Sequence, residues 1–214
     1  GCYGGEIATP HLDGLAAQGL RFTQFYNTAR CWPTRSALMT GYYPQQIRKD
    51  GMPGAPRSFG SSGKRPLWAK TIAEQLRSAG YRTYHSGKWH IDGKPIDNGF
   101  DRSDSASRGP GFFESIKKQD RDPDYYQTTG TAQHAIDCLK EHASDHSERP
   151  FFQYLAFNAP HFPLHALPED IERYRDRYIH GWDVLRKERH ERQQVLGLRV
   201  ASLSPMEEEV GPPY

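Results

Sequence analysis

Helix-spaced apolar positions alternate with short apolar and aromatic runs along this chain. Thr9-Pro10 supplies a cap and a first-turn proline for a helix whose stripe is Leu12, Leu15 and Ala16 and which Gly19 ends. Leu20 to Tyr26, rich in aromatics, reads as the strand that follows. The same logic repeats over Thr71 to Ala79, where Ile72, Ala73 and Leu76 share one face and Gly80 closes the helix. A strand from Tyr81 to about His85 comes next. Thr131 to His142 is a further helix, with Cys138 on its buried side, and Phe151 to Phe157 is expected as a buried strand. Glu169 to about Gln194 is polar and helical, two surface helices broken near Gly181. Residues 51–63, dense in Gly, Pro and Ser, form a loop or lid. Strands separated by helices predict an α/β fold with a largely parallel (mixed) sheet flanked by helices. Sheets of that kind place their sites beyond the carboxyl ends of the strands.

Composition changes this picture little. The 214 residues are 36% hydrophobic, enough for a sizeable core, and no apolar run approaches the length of a membrane span. Twenty-eight basic and 26 acidic residues leave a formal net charge of +2. Neither nucleic acid nor a membrane is therefore expected as a partner. The densest basic cluster, Arg186 to Arg192, is interleaved with Glu188 and Glu191 and reads as a solvated helix face. Cys2, Cys31 and Cys138 are too few and too scattered for a disulfide framework or a zinc site. The redox compartment stays open.

Candidate chemistry begins at Cys31-Trp32-Pro33-Thr34-Arg35, which reads as the start of a short helix. Pro33 fits the first turn, where a missing N–H costs nothing, and Gly41 suits the position just past the end. Cys31 and Arg35, four residues apart, share one helix face. A thiol, a fixed cation and the positive end of a helix dipole together suit an anionic substrate. Taken alone, Cys31 reads as a small buried hydrophobe.

Two further constellations stand at expected strand ends. In Ser86-Gly87-Lys88-Trp89-His90 an extended chain puts Lys88 and His90 on the same side, although each also fits as a surface residue. His161 lies between Pro160 and Pro163 after the last strand, where catalytic groups collect. Spacing alone favours a loop histidine capping a backbone carbonyl.

The sixteen positions from Ala29 to Pro44, with C-x-P-x-R leading into L-x-T-G, resemble the signature of the type I sulfatases of the alkaline phosphatase superfamily. The helix T-I-A-E-x-L-x-x-A-G-Y with G-K-W-H after it (Thr71 to His90) and A-P-H-x-P-L (Ala159 to Leu164) are similar to two more motifs of that family. The likeness runs from Gly1 to Tyr214 and is strongest to the arylsulfatase branch.

That resemblance implies an alkaline phosphatase/sulfatase-like fold, incomplete at both ends, with residues 1–214 as part of one catalytic domain. It implies a sulfuric ester hydrolase acting on aryl sulfates or sulfated carbohydrates, with Cys31 oxidised to formylglycine by a formylglycine-generating enzyme. Hydrated formylglycine would present two hydroxyls, one to attack sulfur and one to expel sulfate afterwards. Arg35 and Lys88 would offset charge, His161 would serve the leaving oxygen and His90 would draw the final proton. Calcium is the implied cation. Residue 31, as formylglycine, is the one ligand the chain retains, the others being expected before Gly1 and beyond Tyr214, so the chain alone is expected to be inactive. Asp97-Asn98 is rejected as a ligand pair because it follows Lys94-Pro95-Ile96 instead of an apolar strand. A periplasmic or secreted location fits the family. The alternatives are a phosphonate monoester hydrolase or phosphodiesterase of the same superfamily and a non-catalytic fragment that binds sulfated glycans.

Overall fold

A computed structural model describes residues 1–51, 63–104, 125–198 and 201–206. The expected loop or lid lies outside them except at its two ends. The chain divides into two compact units, residues 27–165 and residues 1–26 with 166–214.

The 27–165 unit carries the sheet. Its elements are α2 (Cys31–Thr40), α3 (Ile72–Ser78), β1 (Arg82–Gly87), a single 3-10 turn (Ile96–Asn98), β2 (Arg102–Ser103), α4 (Gln127–Asp145) and β3 (Phe151–Ala156). The three strands run parallel in the order β2-β1-β3, which bears out the α/β expectation. Arg82 pairs with Phe151 and Gly87 with Ala156, so β1 and β3 end at the same level.

Alternation along the strands sorts side chains to two faces. Tyr84 and Ser86 face α4, where the Tyr84 hydroxyl meets His142 Nδ1 at 3.1 Å and Ser86 Oγ meets His134 Nδ1 at 2.8 Å. Phe152 and Tyr154 pack on the core formed by Met39, Ala73, Trp89 and Phe100. Trp89 and Phe100 are fully buried, and burial of each such side chain contributes about 1.5–3 kcal/mol. Helix α3 is started by a complete capping box between Thr71 and Glu74.

Several expectations are corrected here. Strand β3 is not buried: Phe151 and Leu155 are exposed and only Ala156 is buried, because among the described strands it pairs on one side only. Ile72 is exposed, so Ala73 is the residue that anchors α3. Helix α4 extends beyond both expected ends, and β1 continues to Gly87.

The other unit holds α1 (Pro10–Gln18), α5 (Pro168–Tyr174) and α6 (Gly181–Val195). The break before Gly181 is as expected. Thr9 does not cap α1, since its hydroxyl bonds the Asp13 carboxylate at 2.8 Å, and the helix buries none of its residues. Leu20 to Tyr26 is not a strand. A strand needs a ladder partner, and the described residues of this unit offer only helices and loops. The Phe22 carbonyl accepts from the Tyr3 hydroxyl at 2.9 Å instead, and Arg21 donates to the Cys2 carbonyl at 2.7 Å. No helix among the described residues is long and apolar enough to cross a membrane.

Candidate active site

Arg30 is extended and Cys31 is the first residue of α2. Pro33 sits in the first turn, whose amides have no helical acceptor, so it removes no bond. At the far end Gly41 takes a left-handed conformation and donates its N–H to the Ala37 carbonyl at 2.8 Å. One turn into the helix, Arg35 Nη1 donates to the Lys88 carbonyl at 2.8 Å and to the Tyr154 hydroxyl at 3.0 Å. Burial pushes the Tyr154 phenol up, with the Arg35 charge opposing, so this hydroxyl stays neutral.

Strand β1 delivers the second group of residues. Gly87 has φ 95°, and a Cβ there would lie 2.2 Å from the Ala156 carbonyl oxygen, so no side chain fits. Lys88 N–H then donates to that oxygen at 2.7 Å, one step beyond the strand. The expected extended path to His90 fails at this point. Trp89 turns into the core and His90 takes a left-handed φ of 53°. His90 is nevertheless held at the site, with its ring edge-on to Trp32 at 5.6 Å between centroids. Its pKa is lowered by burial and then by the charges of Lys88, Arg35 and His161. Burial likewise lowers the pKa of Lys88, where the Cys31 thiolate opposes the shift and Arg35 adds to it.

His161 follows β3 in a turn closed by its own N–H to the Asn158 carbonyl at 2.9 Å, between cis bonds at Pro160 and Pro163. Its Nδ1 lies 2.8 Å from the Phe162 carbonyl. A carbonyl only accepts, so Nδ1 carries the hydrogen and Nε2 is the nitrogen that exchanges a proton. The carbonyl-capping reading of this histidine is thus met, and it fixes the tautomer that acid–base work requires.

Of the five expected residues, Cys31 and Arg35 line one cleft and Arg35 bonds the Lys88 carbonyl, while Lys88, Arg35 and His161 lie near enough to His90 for their like charges to lower its pKa. A cleft of 360 Å³ is lined by Arg30, Cys31, Thr34 and Arg35, by β3 from Tyr154 to Ala156 and by Phe157 just beyond it. Sequence reasoning missed Tyr154 and Trp32. Tyr154 had a weak signal, as the residue two before the strand end and in phase with Phe152; Trp32 stood inside the motif with nothing to mark its contact.

His85, also unforeseen, is fully buried beside Trp89, Phe100 and Tyr154. Its Nδ1 meets Ser103 Oγ at 2.9 Å, while Nε2 has no hydrogen-bond partner among the described residues. Burial pushes its pKa down to about 4, so it is neutral at pH 7.

The described residues do not make a calcium site. No three His, Cys, Asp or Glu side chains come together among them, whereas calcium takes six to eight oxygen ligands. Nearby carboxylates are already engaged. Asp92 pairs with Lys49 and accepts the Arg65 N–H at 2.7 Å, and Asp104 accepts the Gly87 N–H through both oxygens. Asn98 is buried and donates to the Asp92 and Lys94 carbonyls.

A parallel sheet with a helix-borne cysteine, Arg35 and Lys88 at its strand ends defines an α/β protein. Comparison with known proteins identifies the class. The Sulfatase family model matches residues 1–211, and the chain belongs to that family. It is 33% identical to an uncharacterised sulfatase of Schizosaccharomyces pombe over 95% of this chain and 42% of that protein. It is 32% identical to the arylsulfatase of Klebsiella aerogenes over 92% of this chain and 47% of that protein. The chain thus spans less than half the length of these relatives. Its fold is shared with a solved structure from the Bacteroides thetaiotaomicron locus for glycosaminoglycan metabolism, at a TM-score of 0.60 and 18% identity, over 91% of this chain and 49% of that one.

Proposed function

We propose that the protein hydrolyses sulfate monoesters, of the aryl sulfate or sulfated carbohydrate type, in the cleft headed by residue 31. The observation that carries this reading is the convergence of Cys31, Arg35 and Lys88, which sets two cations beside one nucleophile position in a family of sulfatases.

Cys31 is the residue to be oxidised to formylglycine by a formylglycine-generating enzyme, and its place at the helix start, with Pro33 and Arg35 downstream, keeps the motif together. The aldehyde hydrate supplies one hydroxyl as nucleophile and a second to be deprotonated when sulfate leaves. Arg35, fixed by Lys88 O and Tyr154 OH, offers its remaining N–H donors to sulfate oxygens without reorganising. Lys88 adds a charge whose pKa burial has already lowered, so it gains from meeting an anion. The doubly protonated ring of His161 gives its Nε2 proton to the departing oxygen and becomes neutral, its Nδ1–H being held throughout by Phe162 O. His90 takes the proton of the second hydroxyl, and its lowered pKa keeps it in the neutral form that a base needs. Calcium belongs to this proposal as the family's cation.

The test is a parallel assay of 4-nitrophenyl sulfate and 4-nitrophenyl phenylphosphonate with the full-length protein from a host competent in formylglycine formation. Sulfate release well above phosphonate cleavage supports the reading. The reverse order assigns the protein to the phosphonate hydrolases, and activity on neither leaves only a binding role.

A further inference from the structure

We infer that Arg30 is a specificity-determining residue that takes a second anionic group of the substrate, a carboxylate or further sulfate carried beside the scissile ester. The inference rests on the sulfate ester reading above and names a substrate class within it.

Arg30 lines the same cleft as Cys31. Its guanidinium lies over the Trp32 ring at 4.6 Å from the centroid. The ring beneath it is fixed, because Trp32 Nε1 donates to the Gly51 carbonyl at 2.9 Å and the indole packs T-shaped with the His90 ring. A ring beneath a guanidinium offers no hydrogen-bond acceptor of the carboxylate kind, so the contact leaves the N–H donors for something else.

No described residue takes those donors. Each other half-buried arginine described in the 27–165 unit has a hydrogen bond or ion pair to the protein. Arg35 binds Lys88 O, Arg65 binds Asn98, Arg82 and Arg102 pair with Glu141, and Arg149 donates to Gly80 O. Arg30 has only the ring, and no carboxylate lies within ion-pair distance of it among the described residues. Half-buried charge without a counter-charge is costly to keep unless a ligand provides one.

Position separates the two arginines of the cleft. Arg35 is one turn along α2 and locked to two strand ends, where it serves the sulfate at residue 31. Arg30 precedes the helix on extended backbone, with φ −145° and ψ 145°, so its side chain leaves by another direction. An ester with a single charge satisfies the first cation and leaves the second unmatched. One with two anionic groups engages both, and a cleft of 360 Å³ holds a single ring bearing them.

The experiment compares the full-length protein with Arg30→Gln and Arg30→Lys. Calorimetric titration measures binding of benzenesulfonate, with one charge, and 3-sulfobenzoate, with two; neither is hydrolysed. Hydrolysis of phenyl sulfate and 3-carboxyphenyl sulfate is followed alongside. Wild type should favour the doubly charged member of each pair. Arg30→Gln should cut that preference about 10- to 100-fold, the usual value of a charge-assisted hydrogen bond, with Arg30→Lys in between because it keeps charge without the planar fork. No preference in wild type, or equal losses on both members of a pair, would overturn the role of Arg30. A wild-type protein that turns over neither ester yet shows the Arg30-dependent binding preference would fail the hydrolase reading and leave this one standing.

Discussion

Arg35 and Tyr154 meet at 3.0 Å between the first turns of α2 and the last residues of β3, and the same Nη1 also holds the Lys88 carbonyl at the end of β1. One guanidinium thereby fixes the nucleophile helix to two strand ends. Lysine cannot reproduce that fork. Arg35→Lys is expected to lower kcat/KM for an aryl sulfate about 10²- to 10³-fold, and Tyr154→Phe about 10-fold. Equal, near-wild-type rates in both variants would show that the link is not used.

Two cysteines of this unit should separate cleanly. Cys31→Ala is expected to abolish turnover, while Cys138→Ala costs about 1 kcal/mol of stability and little activity. Cys138 is fully buried against His134, and burial raises its pKa, which makes it an inert thiol. Peptide mass spectrometry of the wild type should find aldehyde at residue 31 and thiol at residue 138. An aldehyde absent from protein made in a competent host would end the proposal.

His161→Ala tests the acid. If Nε2 protonates the leaving oxygen, the loss of rate grows as the leaving alcohol becomes more basic, from nitrophenyl towards alkyl or sugar sulfates. A series of substituted aryl sulfates measures that slope. A uniform loss across the series would assign His161 to positioning alone.

His85 makes stability fall with acid. Its pKa is about 4 in the fold and near 6.5 when unfolded, so between those values the unfolded chain binds the extra proton and stability drops as pH falls. The full span corresponds to about 3 kcal/mol, reached near pH 4. Urea titrations from pH 7 to 4 should show a shallower decline for His85→Gln than for wild type. Parallel curves would mean that the buried ring does not govern the acid limb.

Much of this site was legible because its motifs fall where helix and strand signals change. Pro33 and Gly41 bracket α2, and Thr71 with Glu74 starts α3, all through local chemistry that sequence displays. Tertiary contacts were not legible. Leu20 to Tyr26 has strand composition without a strand to pair with, and β3 has a buried strand's sequence with an exposed edge in the described sheet. An extended path from Lys88 to His90 does not form: Trp89 turns into the core and His90 is left-handed, which no local pattern announces. The tie from Arg35 to Tyr154 spans 119 positions, and no local pattern encodes it.

The pairing of Gly87 with Ala156 also sets which changes in chain length the protein can tolerate. Both active-site loops leave the sheet from that one rung, so the spacing of Lys88 from His161 is measured from it. A residue inserted within β1 or β3 moves one loop by about 3.3 Å against the other, more than a hydrogen bond can absorb, and flips every later side chain of that strand to the opposite face. Additions after His161 leave the rung untouched. Length variation among proteins sharing this site should accordingly fall outside the two strands and spare their common end.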